Sequence, residues 1–136
     1  MNDIELGAAT NVIEAAEAKA EEIDVPMCIA VVDRGANLVA FHRMDGAMLA
    51  SVDIAQGKAY TAVGLRMPTD ELAAEAQPGE SLFGVEATND GRIVVFGGGF
   101  PLRSDGEIVG GIGVSGGVVD EDMAVAEAGV EAFEEE

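Results

Sequence analysis

Ser115 lies in the stretch GGIGVSGG, and the five residues from Gly113 to Gly117 match the pattern G-x-S-x-G. That pattern presents the nucleophilic serine of α/β-hydrolases on a sharp turn between a strand and a helix. In those enzymes the catalytic histidine follows the serine, whereas the single histidine here, His42, lies upstream. We therefore assign no catalytic residue. The glycines are interpreted as positions where a strand packs closely against a helix or another subunit.

The same glycine-rich segment also carries backbone N–H groups that could bind an anionic ligand. The amides around Ser115 and Gly116 come shortly before the last predicted helix, and the N-terminus of a helix attracts negative charge. Gly98, in a second glycine cluster, is expected to approach the same place because both clusters lie at strand ends. With Gly113 these residues form a candidate ligand-binding set, and simple turn geometry is the alternative interpretation.

Arg43 and Lys58 are the candidate partners for a carboxylate group on the ligand. The chain has only seven lysines and arginines, so two of them close together would form a rare basic island. A guanidinium group can bind a carboxylate through two parallel hydrogen bonds. Asp45 completes this charged set. The alternative interpretation is a surface ion pair, which contributes about 0–1 kcal/mol.

His42, in the sequence FHRMD, is the candidate metal ligand. One histidine and one cysteine cannot build a histidine-rich metal site within a single chain. A single side chain can, however, supply an axial ligand to a metal that arrives inside a macrocycle, such as haem iron. Met44, Tyr60 and Cys28 are weaker candidates for the same role, and a structural or solvent-facing histidine is the alternative for His42.

Charge is the strongest compositional signal. The net charge is −19, from 26 acidic and seven basic residues, which argues against nucleic acid and anionic membranes as partners. Such a chain repels itself in dilute buffer, whereas at about 1 M salt the screening length falls to about 3 Å. We interpret the acidity as a halophilic adaptation to a salty cytoplasm rather than as a binding surface.

Length and segment composition predict one cytoplasmic domain over residues 1–136. Hydrophobic residues make up 49% of the chain, which is enough for a substantial core. No export signal and no apolar run long enough to span a bilayer are recognisable. The single cysteine excludes an intrachain disulfide.

Hydrophobic periodicity predicts alternating helices and hairpin-linked strands. This order favours an α/β fold of the α+β type, with a mostly antiparallel sheet flanked by helices, over a parallel βαβ sheet. Ser104-Asp105-Gly106-Glu107 carries a strong hairpin signal. The predicted helices span residues 3–23, 48–66, 70–76 and 120–133, and the strands span 27–33, 38–44, 92–96 and 107–115, with a turn over 97–106.

Three blocks resemble one known family: IAVVDRGANLVAFHRMDGA, SVDIAQGKAYTAV and GGGFPLRSDGEIVGGIGVSGG. They are similar to the GlcG/HbpS family, which includes the C-terminal domain of PduO-type proteins. The resemblance covers nearly the whole chain and implies a profilin-like α-β-α sandwich with a central, mostly antiparallel sheet. It also implies dimers that assemble further, often into octamers.

Some members of this family bind haem, and others accompany glycolate or diol metabolism. The resemblance therefore implies an oligomeric haem- or tetrapyrrole-binding protein, with haem degradation as an open extension. The propionates would be received by the Ser115 and Gly116 amides with Arg43 or Lys58, and His42 would contact the iron. The alternatives are an accessory protein or enzyme for a small hydroxy acid, and an assembly scaffold without a ligand. The sequence leaves open whether any reaction is catalysed.

Overall fold

Helices cover both faces of a four-stranded sheet in the computed structural model, which describes residues 1–135. Two short 3-10 turns, Val85–Ala87 and Asn89–Gly91, lie in the segment between the third helix and the third strand. The regular elements in chain order are α1 (Leu6–Glu22), β1 (Cys28–Asp33), β2 (Leu38–Arg43), α2 (Ala50–Gly64), α3 (Thr69–Glu75), β3 (Gly99–Ser104), β4 (Glu107–Ser115) and α4 (Val119–Glu134).

All strand pairs are antiparallel, and the strand order is β2-β1-β4-β3. Cys28 of β1 pairs with Arg43 of β2 on one side and with Ser115 of β4 on the other. Because side chains alternate along a strand, these three residues share one face of the sheet, which α2 covers. Ile29 points to the other face, where α1 and α4 pack. The predicted α-β-α sandwich with an antiparallel sheet is confirmed.

Glycines bring α2 unusually close to the sheet. A Cβ atom added to Gly113 would overlap the carbonyl group of Ala55 in α2. A Cβ atom on Gly99 would lie 2.5 Å from the carbonyl oxygen of Lys58, closer than real Cβ contacts. The facing side of α2 is built from small buried residues such as Ala59. Close helix–sheet packing therefore accounts for Gly113 of the G-x-S-x-G pattern and for Gly99 of the second glycine cluster.

The strand predicted at residues 92–96 is wrong. Within this segment the Val94 amide donates to the Thr61 hydroxyl at 2.9 Å, so the segment lies against α2 rather than in the sheet. Its run of β-branched residues is typical of a strand, but here it packs against a helix. The actual edge strand, β3, falls inside the predicted turn and contains Pro101, which an edge strand can accommodate because its outer side needs no amide donor.

Asp105 and Gly106 form the two-residue turn between β3 and β4, as the Asp-Gly signal predicts. Their φ angles are 52° and 81°, the left-handed values that a type I′ hairpin turn requires at both central positions. The remaining predicted elements differ from the observed ones only by a few residues at their ends. Among residues 1–135, no helix combines the length and hydropathy needed to cross a bilayer.

Candidate functional site

The sheet separates the residues that the sequence singles out. His42 lies on β2 on the face covered by α1, whereas Arg43 lies on the opposite face of the same strand. Lys58, Gly98 and Ser115 come together at the C-terminal end of β4, where α2 begins. Gly113 and Gly116 lie in and just after β4, and Asp45 is exposed in the turn after β2.

Lys58 is fully buried, and its ammonium group has three partners. It donates to the Val114 carbonyl at 2.8 Å and to the Asp122 carboxylate at 2.9 Å, and it lies 4.9 Å from the centre of the Phe96 ring. Burial lowers the pKa of Lys58 and raises that of Asp122, because both charged forms lose their hydration. Lys58 therefore has no free donor directed at a ligand, which revises the carboxylate clamp expected from Arg43 and Lys58.

Two carboxylates of the chain itself already accept hydrogen bonds from the amides at the end of the glycine-rich segment and directly after it. The Gly117 amide donates to Asp122 at 2.8 Å, and the Val118 amide donates to Glu121 at 2.9 Å. The Ser115 hydroxyl is buried and hydrogen-bonded to the Ser51 hydroxyl at 3.0 Å. Acidic side chains of the first turn of α4 thus occupy the place where the sequence predicts the charge of a ligand.

Gly98 lies directly over the Lys58 side chain. A Cβ atom at Gly98 would be 2.7 Å from the Lys58 ammonium nitrogen, and the φ angle of Gly98 is 126°, in a region that L residues rarely adopt. Both features require glycine at this position. The role of Gly98 in this structure is to make room for the buried cation.

His42 has the geometry of a supported metal ligand. Its Nδ1 lies 2.8 Å from the Glu17 carboxylate on α1, and the two side chains are 44% and 32% exposed. In metalloproteins a histidine ligand usually donates its second ring N–H to a carboxylate or carbonyl, which fixes the tautomer and orients the ring. With Nδ1 held in this way, Nε2 has no partner among residues 1–135 and can bind a metal.

Two of the weaker candidates for an iron ligand are engaged in the core. Cys28 is buried, and burial raises the pKa of its thiol, so the thiolate form is disfavoured. The Met44 sulfur accepts a hydrogen bond from the Met27 amide at 3.4 Å. Tyr60 is less enclosed, and its hydroxyl donates to Asn89 at 2.9 Å. Within residues 1–135, no group of three or more His, Cys, Asp or Glu residues is placed to hold a metal ion.

Two adjoining grooves lie on the α2 side of the sheet, away from His42. The first, of about 690 Å³, is lined by three arginines, Arg34, Arg66 and Arg103. The second, of about 440 Å³, is largely apolar, and the two share Ala36 and Tyr60. Sequence reasoning missed these arginines because they are far apart in the chain; the scarcity of basic residues was the only signal that could have indicated them.

Comparison of this chain with known proteins identifies the family to which it belongs. The model of the family described as "Haem degrading protein HbpS-like" matches residues 4–131, and the chain belongs to this HbpS-like family. Among curated proteins, the chain is 48% identical over 132 residues to a 15.0 kDa protein from the dhaT–dhaS intergenic region of Citrobacter freundii, covering 97% of this chain and 93% of that protein.

Two further similar proteins are an enzyme and a haem complex. The corrinoid adenosyltransferase PduO of Citrobacter freundii is 42% identical over 119 residues, which cover 88% of this chain but only 36% of PduO. A solved structure described as a PduOC:haem complex has a TM-score of 0.92 and 36% identity, covering 96% of this chain and 94% of that one. The chain thus corresponds to about a third of PduO.

Proposed function

We propose that this protein binds haem or a closely related tetrapyrrole, and that His42 Nε2 would hold the iron. The observation that carries the proposal is the 2.8 Å hydrogen bond between His42 Nδ1 and Glu17. A carboxylate in this position fixes the tautomer and the orientation of the ring and increases the basicity of the other ring nitrogen as a ligand. The histidine is partly exposed on an edge strand, where a flat macrocycle can approach it.

Two further arguments support haem as the ligand. A relative of nearly the same length and fold was solved as a PduOC:haem complex, so the fold is compatible with a bound haem. In addition, a single neutral histidine is sufficient for haem iron, whereas a bare metal ion requires several protein ligands.

Because β2 is an edge strand, this chain alone would not enclose a macrocycle held by His42. The proposal therefore includes a homo-oligomer, a dimer or a larger assembly such as an octamer, in which a second copy covers the macrocycle. The unpaired outer edge of β2 is the feature that a second copy could cover.

When bound, haem supplies redox and oxygen chemistry, and the family's description names haem degradation. This chain would contribute His42 to hold the iron, Glu17 to orient the imidazole, and the surface of β2 to position the macrocycle. We place the protein in the cytoplasm of a cell with high internal salt, because a net charge of −19 is tolerated best when it is screened.

The test is a haem titration that follows the Soret band in buffer containing about 1 M KCl, where the charge repulsion is screened. The variants are His42→Ala and, as a matched control on the same strand but the other face, Arg43→Gln. We expect a saturable spectral shift in the wild type and in Arg43→Gln, and loss of that shift in His42→Ala. Absence of a saturable shift in folded wild-type protein would contradict haem binding, and an unchanged shift in His42→Ala would contradict the assignment of the ligand.

A further inference from the structure

Four of the five arginines of this very acidic chain line the two adjoining grooves. Arg34, Arg66 and Arg103 line the first groove, and Arg92 lines the second. They come from four separate segments: the β1–β2 turn, the end of α2, strand β3 and the segment after the second 3-10 turn. The fold therefore gathers basic residues that are far apart in the sequence into one surface region.

Two of these guanidinium groups are unpaired despite the abundance of acidic residues. Acidic residues outnumber basic ones by 26 to seven, yet neither Arg66 nor Arg103 has a hydrogen-bonded or ionic partner among residues 1–135. Arg34 uses one nitrogen to donate to the Asn2 carbonyl at 3.1 Å. Glu107 is the one carboxylate among the described residues that line this groove. The groove is locally positive on a negative molecule.

The second groove adds an apolar surface next to this positive charge. It is lined mainly by apolar side chains such as Leu38, Ile54 and Val94, with Asp53 as the carboxylate on its rim, and it meets the arginine groove at Tyr60. The Arg92 guanidinium stacks over the Tyr60 ring at 4.1 Å from its centre, which holds that ring in place. The combined surface is complementary to a ligand with negative groups at one end and an apolar body at the other.

We propose that the joined grooves bind an organic acid with two carboxylates and an apolar body. Planar guanidinium groups match carboxylates because they can form two parallel hydrogen bonds. A local positive field in a groove concentrates anions even when the net charge of the protein is negative. This site lies on the other side of the sheet from His42, so it does not depend on haem binding there. The same chemistry could come from a free dicarboxylic acid or from the two propionates of a porphyrin.

Calorimetric titration of the full chain with phenylsuccinate, succinate and inorganic phosphate tests the proposal. We expect phenylsuccinate to bind more tightly than succinate, because its ring would occupy the apolar groove beside Tyr60. The double variant Arg66→Gln/Arg103→Gln should weaken phenylsuccinate binding by about tenfold or more, since each charged hydrogen bond contributes at least about a factor of ten. Arg43→Gln, which changes the one arginine outside the grooves, is the matched control and should bind as the wild type does.

The outcomes distinguish a free dicarboxylic acid from porphyrin propionates as the ligand. They also distinguish failure of this proposal from failure of the haem proposal. Displacement of phenylsuccinate by metal-free protoporphyrin, but not by its dimethyl ester, would support the site with porphyrin propionates as the ligand groups. Absence of displacement, with phenylsuccinate bound, would support a free dicarboxylic acid. No binding of either acid, binding of phosphate alone, or equal binding by the double variant would overturn the proposal. The His42→Ala variant should bind phenylsuccinate normally, whether or not it has lost haem.

Discussion

The Lys58 ammonium group forms a 2.9 Å ion pair with the Asp122 carboxylate, and the two side chains are 0% and 4% exposed. Lys58 belongs to α2 on one face of the sheet, and Asp122 belongs to the first turn of α4 on the other. The Lys58 side chain runs beneath Gly98 at the end of the sheet. The pair therefore links the two helical layers at the end of β4.

Removing one member of this pair should be strongly destabilising. Lys58→Met leaves the Asp122 carboxylate buried without its cation, and we expect a loss of about 3–5 kcal/mol in the free energy of unfolding. Adding Asp122→Asn should restore much of that loss, because the uncompensated charge is then gone while the Gly117 amide keeps an acceptor. Urea unfolding of the single and double variants measures this coupling. Equal losses for Lys58→Met and the double variant would contradict it.

The free energy of unfolding should depend on pH in the alkaline range because of Lys58. Burial lowers its pKa in the folded protein below the ordinary value of 10.5. Between the lowered pKa and 10.5, the unfolded chain holds a proton that the folded protein lacks, so the free energy of unfolding should rise with pH. Lys58→Met removes this contribution, so the wild type should gain stability relative to the variant across that alkaline window. A relative loss in the same window would show that the pKa is raised instead.

Gly113 should tolerate no side chain. Its Cβ position is occupied by the backbone of α2 at Ala55, which cannot yield without moving the helix off the sheet. We expect Gly113→Ala to cost about 3 kcal/mol or more, as overpacking into backbone does. Gly7→Ala in α1 is the control, since nothing lies within 4 Å of its Cβ position; it should change stability by no more than about 1 kcal/mol. Thermal unfolding of both variants measures this, and similar costs would refute the packing explanation.

Glu17 should act on haem through His42. In Glu17→Gln the imidazole loses its carboxylate partner and becomes a weaker ligand, so we expect haem affinity to fall by about tenfold or more. Glu14→Gln, an exposed neighbour on the same helix, is the control and should leave the affinity unchanged. Competition with apomyoglobin measures the affinities. An unchanged affinity in Glu17→Gln would exclude a role for this carboxylate in positioning the ligand.

The fold was largely predictable from sequence because its signals are local. The Asp105–Gly106 turn and the alternation of helices and hairpins depend on neighbouring residues, and they predict the antiparallel sheet flanked by helices. The α-β-α sandwich itself was implied by the family resemblance. The prediction of a strand at residues 92–96 was wrong because β-branched residues pack equally well against a helix. The actual edge strand, β3, was not predicted because it contains Pro101, which is typical of a turn. Local pattern cannot reveal which apolar segment joins the sheet.

The site was less predictable than the fold because the role of each site residue depends on a partner that is distant in the sequence. Lys58 is indistinguishable in sequence from a ligand-binding cation until Asp122, 64 positions away, is placed beside it. His42 could be singled out because it is the only histidine, but its support by Glu17 requires α1 to pack on β2. The grouping of Arg66 with Arg103 likewise exists only in the folded chain.

Chemical rescue of the axial ligand tests the central claim most directly. His42→Gly removes the imidazole and leaves a space, and the variant is mixed with haem in molar-range KCl while free imidazole is added. If His42 Nε2 is the iron ligand, the variant should lack the wild-type Soret spectrum and recover it as imidazole saturates. A wild-type spectrum in His42→Gly without imidazole would contradict the account.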